Sequence, residues 1–189
     1  MAKALNQSRM RDSWVIVAVA AVMMFLTQPI FPVAALGHEI FDSVGFVLII
    51  ICALGRVYTS AFLGGFKNKT LIAHGPFSVV RNPLYFFSLT GVLGISLATA
   101  HPAVILFAPA AFAALYHFLI RREEKFLREN FGDEYAAYVQ RVPRLIPDIR
   151  LYNTPETVEM KPRFLNNAIF DAIWWLISFQ LLEVLEAVL

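Results

Sequence analysis

Charged side chains are scarce in this sequence. Asp, Glu, Lys and Arg make up 16% of its 189 residues, where a soluble domain carries about a quarter. Cysteine is nearly absent. The lone Cys52 lies inside an apolar run, so no internal disulfide can form, and it reads as a small buried hydrophobe. No G-x-G-x-x-G follows a strand pattern and no Walker-type loop occurs, which excludes the soluble Rossmann and P-loop sites as far as a motif can. The four histidines, His38, His74, His101 and His117, lack ligand spacing, and no metal site is expected. His117, inside an apolar run, reads as a core or cavity residue. There is no internal repeat, low-complexity tract or lipidation motif, and no small-residue cleavage site closes the first apolar run. The net charge of +2 gives no basic footprint for nucleic acid.

What the chain has instead is apolar surface, gathered into runs. It is 58% hydrophobic with a mean hydropathy of +0.62, too much for one small globular core. A spanning helix needs roughly 20 mostly apolar residues. Trp14 to Ala35 is the first candidate, with Pro29 and Pro32 placed to kink or end it. Phe41 to Leu63 is the second and carries Arg56. Leu84 to Ala100 is the third, Pro102 to Ile120 the fourth, and the two form a tight hairpin about His101-Pro102. Phe164 to Leu189 is a weaker fifth, interrupted by Asp171, Glu183 and Glu186. Gly91 and Gly94 permit close packing of the third helix. The expectation is an all-α integral membrane bundle, one domain over 1–189, with four to five transmembrane helices.

The basic residues orient it. Lys3, Arg9 and Arg11 precede the first run. Arg56, Lys67, Lys69 and Arg81 lie between the second and third. Arg121, Arg122, Lys125, Arg128, Arg141, Arg144, Arg150, Lys161 and Arg163 lie between the fourth and fifth. These three groups hold all 16 lysines and arginines. By the positive-inside rule the N-terminus and both polar segments, 64–83 and 121–163, face the cytoplasm, placing the chain in the cytoplasmic membrane. The Asn68-Lys69-Thr70 sequon is discounted on that ground. Arg121 to Asn130 reads as a helical extension, with Glu124 and Arg128 spaced to pair and Gly132 as a stop. Asp133 to Val142 reads as a further short helix ended by Pro143 and Pro147, and Asn153 to Pro162 as a loop.

Two stretches carry chemistry. The first is His74 to Phe87, HGPFSVVRNPLYFF. Gly75-Pro76 reads as a turn, and Asn82-Pro83 as an N-cap followed by proline at the first helical position. Arg81 at that helix N-terminus makes a receptor for a carboxylate or phosphate. The second is Arg122 to Pro147, REEKFLRENFGDEYAAYVQRVPRLIP. Glu123 and Glu124 point about 100° apart on a helix, so one is expected to face the bundle and the other water. Arg144 sits between two prolines, where it can meet substrate or anionic lipid.

Together the stretches resemble the isoprenylcysteine carboxyl methyltransferase and phospholipid methyltransferase family of integral membrane enzymes. The matching residues are Gly75, Pro76 and Phe77, then Arg81, Asn82, Pro83 and Tyr85. Glu123, Glu124, Phe131, Gly132, Tyr135, Tyr138, Pro143, Arg144 and Pro147 follow. The likeness runs from about Arg56 to Pro147. It implies S-adenosylmethionine as cofactor at the cytosolic membrane face and a lipid-like substrate arriving from the bilayer. In this family a histidine usually stands where this chain has Asn82. Asparagine can hydrogen-bond a ligand but cannot act as a base.

The residues suit that chemistry. The methyl donor is itself the electrophile, so a protein has chiefly to bind, align and desolvate. The cofactor set is His74, Gly75, Pro76, Arg81, Asn82, Pro83, Tyr85, Glu123 and Glu124. Arginine and the helix N-terminus serve the carboxylate, glutamates the ammonium and ribose, and Tyr85 and Tyr138 the sulfonium. Arg144, Glu124 and Tyr138 form the catalytic set, with Arg144 or Arg56 holding an anionic substrate head. A charge at Arg56 depth needs a partner or an escape to the interface. A carboxylate acceptor needs no base, while a thiol or amine does. Membrane lipids and a lipid-like or small carboxylate, thiol or amine substrate are the expected partners. An NADPH-dependent reductase of sterol-reductase type, which shares the Arg-His-Pro-x-Tyr neighbourhood, and a non-catalytic lipid-binding protein are the alternatives.

Overall fold

The computed structural model describes residues 2–64 and 70–188, and the side chains of residues 11–64 and 70–186. Lys67, Lys69 and Asn68 of the sequon lie outside the described residues, as do the side chains of Lys3 and Arg9. Among the described residues six helices follow in order: α1 Ala2–Leu26, α2 Leu36–Leu63, α3 Pro76–Val79, α4 Pro83–Ala98, α5 Pro102–Arg141 and α6 Pro162–Val188, with a 3₁₀ turn at Ile149–Leu151. There is no strand among the described residues. Three helical stretches, Leu36–Leu63, Pro102–Arg141 and Pro162–Glu186, are long and apolar enough to cross a membrane. Pro83–Ala98 is apolar but shorter. The chain is an integral membrane helical bundle.

Local chemistry sets the ends. α1 stops at Leu26, well short of Ala35, because Pro29 and Pro32 lack the amide protons that a longer helix needs. α2 ends at Gly64, whose φ of 52° turns the chain left-handed while its N–H bonds the Ser60 carbonyl. α4 and α5 each begin with proline at the first turn. The corner between them passes through Ala100 at φ 48°. Its carbonyl accepts from Ile30 N–H at 2.9 Å, and Thr27 Oγ1 lies 3.0 Å from His101 Nδ1. The tail of α1 is thereby fastened to the α4–α5 corner.

α2 is the hub. It packs most extensively on α4 and next on α6. The α2–α4 contact is close because glycines face it. A Cβ placed on Gly45 would sit 2.6 Å from the Gly94 carbonyl oxygen, and one on Gly94 would be 2.6 Å from that of Gly45. Ile49, Ala98, Phe179 and Leu182 form a buried cluster where α2, α4 and α6 meet, with Met24 of α1 against it. Arg56 is partnered within the bundle. Its Nε donates to Asp171 Oδ2 of α6 at 2.8 Å, it also reaches Ser88 Oγ, and the guanidinium lies 5.9 Å from the Trp175 ring centre. At the opposite end His38 Nε2 and Glu186 Oε2 are 3.2 Å apart. Asp171 and Glu186, which interrupt the last apolar run, therefore fasten α6 to α2.

Gly132 ends one helical stretch as expected: its φ of 46° and ψ of −119° are non-helical and put a kink inside α5, and a second stretch runs through Tyr135 and Tyr138 to Arg141. Open space surrounds the Gly132 Cα, so backbone conformation alone calls for glycine here.

Candidate functional site

Beyond the kink the end of α5 packs against the segment before α4 and against its own preceding turns. Tyr135, Tyr138 and Val142 are buried there against Leu71, Ala73, Leu127 and Phe131. The segment after α5 then runs along the start of α4 and is held by main-chain bonds. Arg81 N–H donates to the Pro143 carbonyl at 2.9 Å, and Asp148 N–H to the Val79 carbonyl at 2.9 Å.

Within this frame one carboxylate gathers two guanidinium groups. Glu124 Oε1 lies 3.1 Å from Arg81 Nη1 and accepts from Arg144 Nε at 3.2 Å, while Oε2 is 3.0 Å from Arg144 Nη2. The arrangement is a bidentate fork from Arg144 with a second arginine on the same acceptor. Glu124 was expected to pair along the helix with Arg128, but these two arginines from other segments take it. The other glutamate does not face water either. Glu123 Oε2 accepts the Tyr85 hydroxyl at 2.8 Å, and both glutamates are half-buried. The start of α4 provides inward donors to both, which helix periodicity alone cannot reveal.

Asn82 is buried at the N-cap position of α4, yet its side chain makes no capping bond. The Nδ2 group donates to the Arg144 carbonyl at 3.1 Å instead. Arg81, 14% exposed at the side chain, keeps a buried Nε with no hydrogen-bond partner, and its guanidinium also bonds the Tyr135 side chain. A buried cationic donor without an acceptor is costly. An open surface groove runs beside Arg81, walled by Val142, Pro143, Pro147, Asp148 and Leu151, and it does not reach Tyr85, Glu123 or Glu124.

Tyr138 has a different place from the one its spacing implied. Its hydroxyl donates to the Phe77 carbonyl at 2.7 Å, its ring is 4% exposed, and burial pushes the phenol upward in pKa. Burial also raises Tyr135, with the Glu124 carboxylate adding to the shift. Neither phenol is suited to take a proton near neutral pH. His74 turns to the Phe62 ring, 5.9 Å between centres. Gly75, at φ 60° and hard against that same ring, gives its N–H to the Asn153 carbonyl at 2.7 Å. Pro76 opens the one-turn α3, and Ser78 Oγ accepts from Asn153 N–H at 2.9 Å. His74, Gly75 and Pro76 thus form a braced turn behind Arg81. The structure gathers Arg81, Asn82, Pro83, Tyr85, Glu123, Glu124 and Arg144 directly. Pro83 is buried at the first turn of α4.

Sequence reasoning missed an aromatic wall. Tyr116 lies 5.0 Å from Tyr85 and stacks on Phe112 at 4.0 Å. The four-residue spacing of Phe112 and Tyr116 was the available signal, though it reads equally as ordinary packing. Tyr135, partner of Arg81, was legible only as one tyrosine of a helical face. Among the described residues no group of three or more His, Cys, Asp and Glu is arranged to hold a metal ion.

The profile of the phospholipid methyltransferase family matches residues 39–134, and the chain belongs to that family. It is 34% identical over 134 residues to the cobalt-zinc-cadmium resistance protein CzcN of Cupriavidus metallidurans, covering 71% of this chain and 62% of that protein. To the nickel-cobalt-cadmium resistance protein NccN of Alcaligenes xylosoxydans it is 28% identical, with the same coverage. A probable protein-S-isoprenylcysteine O-methyltransferase of rice (Oryza sativa subsp. indica) is 26% identical over 153 residues, 79% of this chain and 70% of the rice protein. The chain thus matches somewhat less than two thirds of the length of CzcN and NccN.

Proposed function

We propose that this protein is an S-adenosylmethionine-dependent methyltransferase whose site lies at the cytoplasmic face of the membrane. The observation that carries the reading is the buried, unpartnered Nε of Arg81, whose Nη1 lies 3.1 Å from the Glu124 carboxylate. Such a pairing of an open cationic donor with an acidic acceptor suits the amino-acid end of the cofactor, which carries one carboxylate and one ammonium. Family membership supports the same chemistry, and the confinement of lysine and arginine to three segments supports the orientation.

In this reading Arg81 takes the cofactor carboxylate and Glu123 or Glu124 the ammonium and ribose. Tyr85 and Tyr116 offer aromatic faces to the sulfonium. S-adenosylmethionine, when bound, supplies an electrophilic methyl carbon. Arg144 would hold an anionic acceptor head near the bound cofactor. The acceptor class is a lipid-like molecule, or a small one, bearing a carboxylate, thiol or amine. Tyr138 holds the floor of the site through Phe77, while His74, Gly75 and Pro76 act by bracing Arg81.

Calorimetry on folded, detergent-solubilised protein tests the proposal. Saturable binding of S-adenosylmethionine and of its demethylated product is expected, with none for NADPH. Absence of heat from both methyl-donor forms, or saturable NADPH binding, overturns it.

A further inference from the structure

We infer that Asn82 is a positioning residue that sets the Arg144 guanidinium through the Arg144 main chain. The inference rests on the proposed function only for its consequence, since the geometry itself involves no ligand.

The four groups form a closed ring. Asn82 Nδ2 donates to the Arg144 carbonyl at 3.1 Å. The Arg144 side chain forks onto both oxygens of Glu124. Glu124 Oε1 contacts Arg81 Nη1 at 3.1 Å, and Arg81 is joined to Asn82 by a peptide bond. One further main-chain bond, from Arg81 N–H to the Pro143 carbonyl, runs parallel to the Asn82 contact. Pro143 itself has no amide proton to offer. The path of residues 143 and 144 beside α4 is therefore fixed by two donors, and Asn82 supplies the only side-chain one among the described residues.

Several features argue that this bond serves the site as well as the fold. Asn82 stands at a helix N-cap and forgoes the capping bond that asparagine makes there by preference. It is 9% exposed, so water does not readily replace the lost donor. Arg144 is held at both ends, carbonyl and guanidinium, while the Leu145 and Ile146 side chains immediately after it are exposed. Without the Asn82 donor, Arg144 has one anchor instead of two, and its fork on Glu124 loosens. Histidine, the usual family residue at this position, can also donate a ring N–H to a carbonyl. Donation thus survives the change to asparagine, whereas imidazole basicity does not.

The test uses the full chain in detergent with Asn82→Leu, Asn82→His and Arg144→Ala, alone and combined. A leucine of similar size removes the donor and adds no charge. Asn82→Leu is expected to weaken binding of S-adenosylmethionine or its product by about tenfold, the range set by one lost buried hydrogen bond. Asn82→His should restore binding, and Asn82→Leu should add nothing in an Arg144→Ala background. A ligand-free reading runs beside it. The Asn82 bond to the main-chain carbonyl survives in Arg144→Ala, so the thermal midpoints of the same four-member cycle should be non-additive only by the part of the Asn82→Leu loss that acts through the guanidinium fork on Glu124. Additive midpoints, or full affinity in Asn82→Leu, overturn the positioning role. If the wild-type chain binds neither ligand, the proposed function fails while the midpoint cycle still decides the role of Asn82.

Discussion

Arg56 of α2 and Asp171 of α6 form an ion pair across 115 positions of sequence, with Nε and Oδ2 at 2.8 Å. A guanidinium at this depth would otherwise have to snorkel to the interface. Because Asp171, half-exposed on the bundle surface, meets it there, the pair joins the last helix to the hub. Removing one partner strands the other charge, which costs more than removing both. Asp171→Ala is expected to lower the thermal midpoint in detergent by roughly 5 °C, about 2 kcal/mol for a chain of this length. The double replacement Arg56→Met, Asp171→Leu should recover most of that loss. A double variant no more stable than Asp171→Ala would refute this account of the pair.

The Glu124 cluster predicts a charge requirement. Glu124→Gln keeps the shape but weakens both arginine contacts, and affinity for S-adenosylmethionine should fall about tenfold or more. Arg144→Lys should not rescue binding, since an ammonium cannot fork onto two oxygens. Retained affinity in both variants would place the cofactor elsewhere.

Tyr85 and Tyr138 should separate function from stability. Tyr138→Phe loses a buried bond to the Phe77 carbonyl and is expected to cost about 1 kcal/mol of stability with little change in ligand affinity per folded molecule. Tyr85→Phe frees Glu123 from one donor and should alter affinity with little change in the thermal midpoint. Reversed outcomes for the two would exchange their roles.

Alkaline pH should weaken the fold through the buried phenols. Tyr135 and Tyr138 are both raised by burial, so their neutral forms are favoured in the folded chain. That stability is fully present below the unfolded phenol value of about 10, and it is lost as pH rises through the folded values. Thermal midpoints measured from pH 8 to 11 should decline above about pH 10. Tyr135→Phe should decline less across the same interval.

Close packing predicts a steric limit. Gly45→Ala puts a methyl 2.6 Å from the Gly94 carbonyl oxygen, which rigid helix backbones cannot absorb without separating. A loss of about 1–3 kcal/mol is expected, read as a lower midpoint. An unchanged midpoint would show that α2 and α4 part easily.

How much of this was legible in the chain differs from element to element. Apolar runs, prolines and glycines act locally, so the helices were readable from composition and spacing, and Asn82-Pro83 marked the start of α4. The first run was read too long because hydropathy continues past Leu26 while proline ends the hydrogen-bond ladder. Gly132 was legible as the break between two helical stretches, but the seat of the second stretch was not. Here Tyr135 and Tyr138 find a buried seat against Leu71 and Ala73.

Arg56 shows the division most clearly. Its sequence position established that a charge lies within an apolar helix and needs a partner or an escape to the interface, because an uncompensated charge is costly there. Only the tertiary structure decided that Asp171 answers it. The same holds for Glu124, whose spacing favoured Arg128 and whose partners are Arg81 and Arg144, and for Asn82, which exchanges a cap for a carbonyl 62 positions away. Helix formation and membrane residence follow from periodicity and hydropathy, which are properties of neighbours in sequence. Partner choice among charges depends on which segments the folded backbone brings within about 3 Å, and that is settled by packing.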